Sequence, residues 1–216
     1  MKTKLFAALT ALTVVFAACK KDNNNDNNNG GTTEDYQPTS AGSTWQYNST
    51  TGSYTETAAA SSRDSTIDGE KYVAFDNSNG GTRYVNKNNG VYKSYSYFQQ
   101  IQKDLKLTYL KDADAGTTWQ DVVNYSYNGI DIPITFSYTI ASRDRDTVVN
   151  NKTYNNVIVV DTKVSASSLL VGGDGTIGTA RRYYAKGVGA ISSTLNFNAL
   201  GITASDTTYL VSYNIK

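Results

Sequence analysis

The sequence of 216 residues contains no histidine, one cysteine, one methionine and two prolines. The absence of histidine excludes a Ser-His-Asp triad, a Cys-His pair and imidazole ligands for zinc or haem. A single cysteine excludes disulfides within the chain and Cys-x-x-Cys redox chemistry. Lysine and arginine total 20 against 19 acidic residues, and this formal net charge of +1 does not favour binding to nucleic acid.

Tyrosine is the abundant aromatic residue, with 17 copies against 6 phenylalanines and 2 tryptophans. Tyrosine and β-branched residues favour strands that keep one face toward water. Apolar and polar residues alternate with a period of two, for example where Phe136, Tyr138 and Ile140 are separated by Ser137 and Thr139. Turn signals separate such segments at 68–69, 79–81, 89–90, 128–129 and 187–189.

These patterns predict an all-β fold, an antiparallel sheet of about 10–12 strands that forms either a β-sandwich or a half-barrel. The run 157–160 is apolar without a break, so we expect one strand to be covered on both faces. At most one short helix is expected, at 98–107, where Phe98, Ile101 and Leu105 approximate one helical face.

The first 18 residues have the pattern of a secretory signal peptide. Two lysines precede an apolar stretch at 5–16, and Ala17-Ala18 supplies the small residues of a cleavage site. The only cysteine, Cys19, follows directly, which resembles the lipobox of bacterial lipoproteins. That resemblance implies that the Cys19 sulfur carries a diacylglyceryl group, that this residue is the mature N-terminus, and that the lipid binds the membrane. The alternative, a buried apolar cysteine, does not suit a position between a leader and a polar tract.

The stretch 19–35 predicts a lipidated cysteine followed by a disordered Asn- and Gly-rich tether, because it has no apolar residue after Cys19 with which to build a core. Lys20, Lys21 and Asp22 resemble the short charged export signal of Bacteroidota surface lipoproteins. This resemblance implies an outer-membrane location with exposure at the cell surface. A periplasm-facing orientation is the alternative.

The remainder, 36–216, is predicted to be a single β domain made of two repeats, about 36–110 and 111–216. Four landmarks recur in the same order. They are AGSTWQ at 41–46 with AGTTWQ at 115–120, SRD at 62–64 with 142–144, KYVAFDN at 71–77 with NVIVVDT at 156–162, and TRYVNKNNGVYKS at 82–94 with ARRYYAKGVGAISS at 180–193.

Two of these segments, GSTWQY at 42–47 and YYAKGVGAIS at 183–192, resemble a recurring pattern of Bacteroidota lipoproteins without an assigned function. In that pattern an early Gly-x-x-Trp strand is followed by a late Tyr-Tyr-Ala-x-Gly-Val-Gly hairpin. The resemblance implies a β fold and an envelope location, and it implies no activity.

The residues that could carry chemistry form weak patterns. Glycoside hydrolysis by paired carboxylates would draw on Asp131, Asp144, Asp146 or Asp161. Asp112 and Asp114 give the first half of a calcium loop without its later ligands, and 172–178 is glycine-rich without the Gly-Lys-Ser/Thr of a phosphate loop. We therefore predict no catalytic residue, no metal ligand and no cofactor.

Tyrosines supply the candidate ligand-binding side chains, because flat amphipathic rings suit sugars and protein interfaces. The candidates are Tyr95, Tyr97, Tyr125 and Tyr127. The alternative is that these rings take the place of leucine and phenylalanine on a sheet that has one face exposed to solvent.

Three Asp-Ser/Thr patterns resemble the O-glycosylation signal of Bacteroidota. They name Ser65, Thr147 and Thr207 as acceptors.

Taken with the absent catalytic groups, these features predict a lipid-anchored cell-envelope protein that is not an enzyme and that acts as a binding or interaction module. Its expected partners are the membrane, through the lipid, and a glycan or an envelope protein, with no nucleic acid. The alternative is a half-barrel carrier or chaperone for an apolar ligand. A carboxylate-dependent glycan hydrolase is a third and weaker hypothesis.

Overall fold

Twelve antiparallel strands form one continuous sheet in the residues that the computed structural model describes, which are 35–51, 55–78, 81–98, 103–127, 130–166, 175–199 and 202–216. The predictions for Cys19, Lys20, Lys21 and Asp22 lie outside these residues. The strands are β1 (Thr44–Ser49), β2 (Thr55–Ile67), β3 (Glu70–Asn77), β4 (Thr82–Asn88), β5 (Val91–Phe98), β6 (Lys103–Lys111), β7 (Thr118–Tyr127), β8 (Ile130–Val149), β9 (Lys152–Ser165), β10 (Thr176–Ala185), β11 (Gly189–Ala199) and β12 (Ile202–Asn214).

The strands lie in the order β6-β5-β4-β3-β2-β1-β12-β11-β10-β9-β8-β7. Each half of the domain is thus a six-stranded meander, and the meanders join where β1 pairs with β12, for example at Trp45 opposite Tyr213. The natural twist of strands curls this sheet until its two free edges, β6 and β7, meet. The all-β prediction is confirmed, and the nearly closed curl corresponds to the half-barrel rather than the sandwich.

The described ranges contain no helix, and hence none that is long and apolar enough to cross a bilayer. The short helix expected at 98–107 is wrong where the structure describes that segment, because 103–107 belongs to strand β6. Leu105 and Leu107 lie on one face of β6, opposite Ser96 and Ser94 of β5. Backbone pairing with β5 outweighs the weak helical pattern, since so short a helix has little stability of its own.

The turns that precede the two tryptophan strands have the same hydrogen bonds. In each turn a glycine with left-handed backbone, Gly42 (φ 84°) or Gly116 (φ 88°), donates to the carbonyl of the neighbouring long strand. These bonds are Gly42 N to Ala60 O at 2.9 Å and Gly116 N to Ile140 O at 2.8 Å. The two-repeat organisation itself stays a prediction.

The inner face of the curl holds much of the apolar core. Across successive strands, Trp45 lies opposite Ala58, Ala60 opposite Phe75, and Phe75 opposite Arg83, so these side chains share one face. All five are buried, with Phe75 at 0% and Arg83 at 5% exposure. The interior of the curl is therefore lined with aromatic rings and one arginine at this level.

We call the end of the curl where 35–43 meets the β4–β5 and β10–β11 turns the lower end, and the opposite end the upper end. Inward side chains near the lower end are fully buried, for example Tyr92, Ile140 and Ile158 at 1% exposure or less. Nearer the upper end the burial is mixed: Leu105 and Phe136 are also buried, whereas four other inward side chains are only partly buried. These are Leu107, Val123, Ile134 and Phe197.

A side chain that points into the curl can reach solvent only through the interior. The partial exposure of these four residues therefore shows that solvent enters the upper half. Barrels of eight strands are just filled by their own side chains, whereas larger ones enclose ligand cavities or channels. A curl of twelve strands has this extra width, and its lower end is closed.

Candidate functional site

The first described residues close the lower end of the interior. Tyr36 is completely buried, and its backbone N–H donates to the Tyr92 hydroxyl at 3.1 Å. The Gly187 N–H donates to the Asp35 carbonyl at 2.7 Å, and the Lys87 ammonium forms an ion pair with the Asp35 carboxylate. The chain that precedes the domain thus enters at the closed end.

Trp45 ties this closed end to the β10–β11 turn. Its indole N–H donates to the Val188 carbonyl at 2.6 Å, and the hydroxyl of Tyr47, two residues further on, donates to the Ala190 carbonyl at 2.7 Å. Because both donors come from β1 and both acceptors from the other half of the chain, these bonds hold the two meanders together at their base.

An arginine and three tyrosines pack above this base. The Arg83 guanidinium lies 5.5 Å from the ring centre of Phe75 and 5.7 Å from that of Tyr109. The Tyr109 ring lies 6.4 Å from Tyr92 and 5.9 Å from Tyr184. Burial raises the pKa of Tyr92 to about 12 and also raises the pKa values of Tyr109 and Tyr184, so all three hydroxyls remain neutral donors at physiological pH.

A second polar group lies on the β7, β8 and β10 side of the interior. Trp119 stacks on Tyr138 with ring centres 5.1 Å apart and an angle of 11°. Tyr138 hydrogen-bonds to Asp121, which lies on the same face of β7 as Trp119. Arg182 enters the same interior from β10, where it lies opposite Val160 of β9 on one side and Ser193 of β11 on the other.

Asp121 is subject to opposing effects. Burial raises its pKa, whereas hydrogen bonds from the Thr108 N–H and the Tyr138 hydroxyl and the charge of Lys111 lower it; the net direction is upward. Its carboxylate accepts the Thr108 N–H at 2.7 Å. An aspartate in this setting binds a proton more readily than one in water.

Side chains, not a backbone ladder, join the free edges of β6 and β7. The Trp119 indole donates to the Thr108 carbonyl at 2.6 Å, and Asp121 accepts from the Thr108 N–H, so both backbone groups of Thr108 are satisfied from β7. Nearer the upper end, the Lys103 ammonium donates to the Asn124 carbonyl at 2.7 Å. We call this side-chain junction the seam; it covers edges that would otherwise be open to another strand.

The four predicted ligand-binding tyrosines do not share one surface. Tyr95 and Tyr97 lie on the outer face of β5, where Tyr95 packs edge-on against Tyr84 at 6.4 Å and Tyr97 is 60% exposed. Tyr125 lies on the Trp119 face of β7, and Tyr127 ends that strand opposite Ile130. Ligand binding by these residues stays a prediction.

The predicted O-glycosylation acceptors lie on three different strands, and each is partly exposed. Ser65 of β2 lies opposite Tyr72, and Thr147 of β8 lies opposite Tyr154. The Thr207 hydroxyl shares a hydrogen bond of 2.9 Å with Thr194. Their modification stays a prediction.

Most of the candidate carboxylates have partners in the protein. Asp161 is held by Arg181 through bonds of 2.6 and 2.7 Å, Asp144 by Arg143 at 3.0 Å, and Asp131 by the Ser126 hydroxyl. Asp146 is exposed on β8. These side chains are on the surface rather than in the interior described above.

The two loop patterns noted in the sequence differ in how far the structure describes them. Asp112, from the half calcium loop, pairs with Arg143 at 2.8 Å. Among the described residues no three His, Cys, Asp or Glu side chains are grouped so that they could hold a metal ion. Of the glycine-rich stretch 172–178, the part up to 174 lies outside the described residues, and 176–178 begins strand β10.

The interior residues Asp121 and Arg182 are not among the candidates that the sequence patterns indicate. A signal was present, because two-residue spacing places Asp121 on the face of Trp119 and Arg182 on the face of Tyr184. That signal does not tell which face of the sheet turns inward, since the curl of all twelve strands decides it.

No protein-family model and no curated protein matches the chain. Among solved structures, the chain resembles the crystal structure of a protein from Parabacteroides distasonis ATCC 8503 described as a "putative lipoprotein", with a TM-score of 0.51. The two sequences are 12% identical, and the match covers 84% of this chain and 99% of the other. At this identity the likeness shows a shared fold alone.

Proposed function

We propose that the chain is a lipid-anchored protein of the bacterial outer membrane, exposed at the cell surface, whose β domain is a binding module without catalytic activity. The leader at 1–18, the position of Cys19 and the charged stretch Lys20-Lys21-Asp22 support the anchor and the location. The fold shared with a protein described as a "putative lipoprotein" agrees with this assignment. A periplasm-facing orientation is the alternative.

The entry of the chain at the closed end of the interior carries this proposal. Tyr36 and Asp35 fix the first described residues at the lower end, beside Tyr92 and Gly187. A tether attached there places the lower end toward the membrane. The upper end, through which solvent reaches the interior, then faces away from the membrane and toward a glycan or an envelope protein.

A carrier for an apolar ligand is the second candidate function. The observation that favours it is the partial exposure of inward apolar side chains, among them Val123, Ile134 and Phe197. A hydrolase has less support, because Asp161 and Asp144 lie in surface ion pairs with arginine.

We also propose that the domain arose by duplication of a six-stranded unit. The matched hydrogen bonds of Gly42 and Gly116 support this origin, as do the two tryptophan indoles, each of which donates to a carbonyl in the other half of the chain.

Mass spectrometry of the N-terminal peptide, after expression in a Bacteroidota host, tests the anchor. We expect a peptide that begins at acylated Cys19, and we expect Cys19→Ala to release the protein from the membrane fraction. Replacement of Lys20, Lys21 and Asp22 by alanine should keep the lipid but abolish digestion of the protein by protease added to whole cells. A peptide that retains residues before an unmodified Cys19 would overturn the proposed location.

A glycan array and a pull-down from envelope fractions test the binding module. We expect a saturable partner in at least one of them. Blank results in both, together with no ligand in the interior, would overturn the binding function while leaving the anchor intact.

A further inference from the structure

We infer that the interior binds an amphiphilic organic acid, with the acid group at Arg182 and the apolar part extending toward the upper end. This inference rests on the proposed binding function and names its ligand class.

Arg182 differs from its neighbour Arg181 in having no anionic partner among the described residues. Strand β10 directs the two side chains to opposite faces, and Arg181, on the outer face, binds Asp161 through two hydrogen bonds. Arg182 points inward, is only partly exposed, and forms no ion pair or hydrogen bond with the residues that the structure describes. An inward guanidinium without a counter-ion is open to an anion that enters the interior, and its planar fork matches a carboxylate.

The hydroxyl of Tyr109 gives a second, independent indication of a missing acceptor. Tyr109 is 8% exposed, and its hydroxyl is buried without a hydrogen-bond partner in the described part of the chain. Its ring lies 5.9 Å from that of Tyr184, and the charge of Arg182 acts on the Tyr184 hydroxyl. Buried hydroxyls in proteins are nearly always hydrogen-bonded, so the Tyr109 hydroxyl also calls for an acceptor from outside the described chain.

Apolar side chains lie above Arg182 on the same inner face. Phe197 is four residues beyond Ser193, the partner of Arg182 on β11, which places it roughly 13 Å nearer the upper end. Val123 and Ile134 lie opposite each other, at the middle of β7 and in the upper part of β8. All three are inward and partly exposed, so they offer a wall for an apolar chain that runs from Arg182 to the upper end.

Titration of the purified protein with decanoate, acetate and decanol, below the micelle-forming concentration and at constant ionic strength, tests this inference. Isothermal calorimetry gives the Kd, and the melting temperature gives an independent measure of binding. We expect saturable binding of decanoate and a raised melting temperature. Acetate lacks the apolar chain and decanol lacks the acid group, so both should bind at least tenfold more weakly.

Arg182→Gln and Arg181→Gln are the matched variants, since they alter adjacent residues on opposite faces. We expect Arg182→Gln to weaken decanoate binding about tenfold or more and Arg181→Gln to change the Kd less than twofold. Tyr109→Phe removes one hydroxyl and should weaken binding several-fold, which keeps the test valid if Arg182→Gln fails to fold.

No saturable decanoate binding, equal affinity in the two arginine variants, or equal affinity for decanol would each overturn the inference. Its failure is distinct from failure of the proposed function. If decanoate does not bind while Cys19 is acylated and a glycan or envelope partner is captured, the ligand class is wrong and the proposed function stands.

Discussion

Asp121 serves two structural purposes with one carboxylate. It caps the Thr108 N–H at the seam and hydrogen-bonds to Tyr138 in the interior. Both contacts favour the charged form, whereas burial favours the neutral form and prevails, so the pKa of Asp121 is raised. The folded protein therefore binds a proton at this residue more readily than the unfolded chain does.

Acidification should consequently favour the folded state at this one residue. The pKa of Asp121 is higher in the folded protein than in the unfolded chain. Its contribution to the free energy of unfolding therefore rises as the pH falls through the folded-state pKa, and it is complete below the unfolded-state pKa. We expect the wild type to gain stability relative to Asp121→Asn between neutral pH and the ordinary aspartate range. Urea unfolding of both proteins across this range measures the difference.

Asp76→Asn is the control of opposite sign. A hydrogen bond from Arg63 lowers the pKa of Asp76, so the wild type should lose stability relative to this variant on acidification. If the wild type also lost stability relative to Asp121→Asn, the stated pKa direction at Asp121 would be wrong.

At the scale of the element, two hairpin turns have the same backbone and different surroundings. Asp68-Gly69 and Asn89-Gly90 both have left-handed residues at both central positions, with φ of 51° and 77° in the first and 47° and 73° in the second. This is the type I′ geometry that suits the strand twist. A Cβ on Gly69 would meet nothing within 4 Å, whereas one on Gly90 would lie 3.1 Å from the Asp112 Cβ.

Replacing each glycine by alanine separates backbone strain from crowding. Gly69→Ala should cost about 1 kcal/mol, the strain of a left-handed alanine. Gly90→Ala should cost about 1–3 kcal/mol more, because Asp112 is held by Arg143 and by its own N–H bond to the Gly90 carbonyl and cannot easily move. Chemical denaturation of both variants measures the difference; equal costs would show that Asp112 yields freely.

Sequence could predict these turns because their signal is local. Asp-Gly and Asn-Gly require left-handed residues, and alternation in 136–140 follows from one face being buried. The strand at 103–107 does not follow from its local pattern, because its pairing partner, β5, decides its structure. The interior site depends on still more distant relations. Arg182 and Tyr109 come from different halves of the chain, and only the curl of the whole sheet places them in one interior.

At the scale of the whole molecule, the order of strands along the chain differs from their order in the sheet at one place. The junction of β1 with β12 pairs residues as distant as Trp45 and Tyr213, whereas the neighbours β6 and β7 are joined by the chain but have no backbone ladder. Both described chain ends lie at the lower end, where the Lys216 N–H donates to the Ser43 hydroxyl at 3.0 Å.

A circular permutant should therefore fold to the same sheet. Opening the chain between Ala113 and Asp114 and joining Lys216 to Asp35 with a flexible linker makes the chain order equal to the spatial order, from β7 through β12 and β1 to β6. We expect a cooperative melt and native amide-exchange protection in β1 and β12, with stability within a few kcal/mol of the wild type. Loss of protection in these two strands would show that the connection at 112–117 is required for folding.

The position of β1 between β2 and β12 determines how the domain responds to mechanical force. If the tether is anchored as proposed, a pull on a bound partner loads β1 along its own axis, starting from Trp45. Backbone hydrogen bonds run across strands, so this load shears the ladders on both sides of β1 at once instead of peeling them one bond at a time. Under that anchoring, the domain resists tension that is applied between the membrane and its upper end.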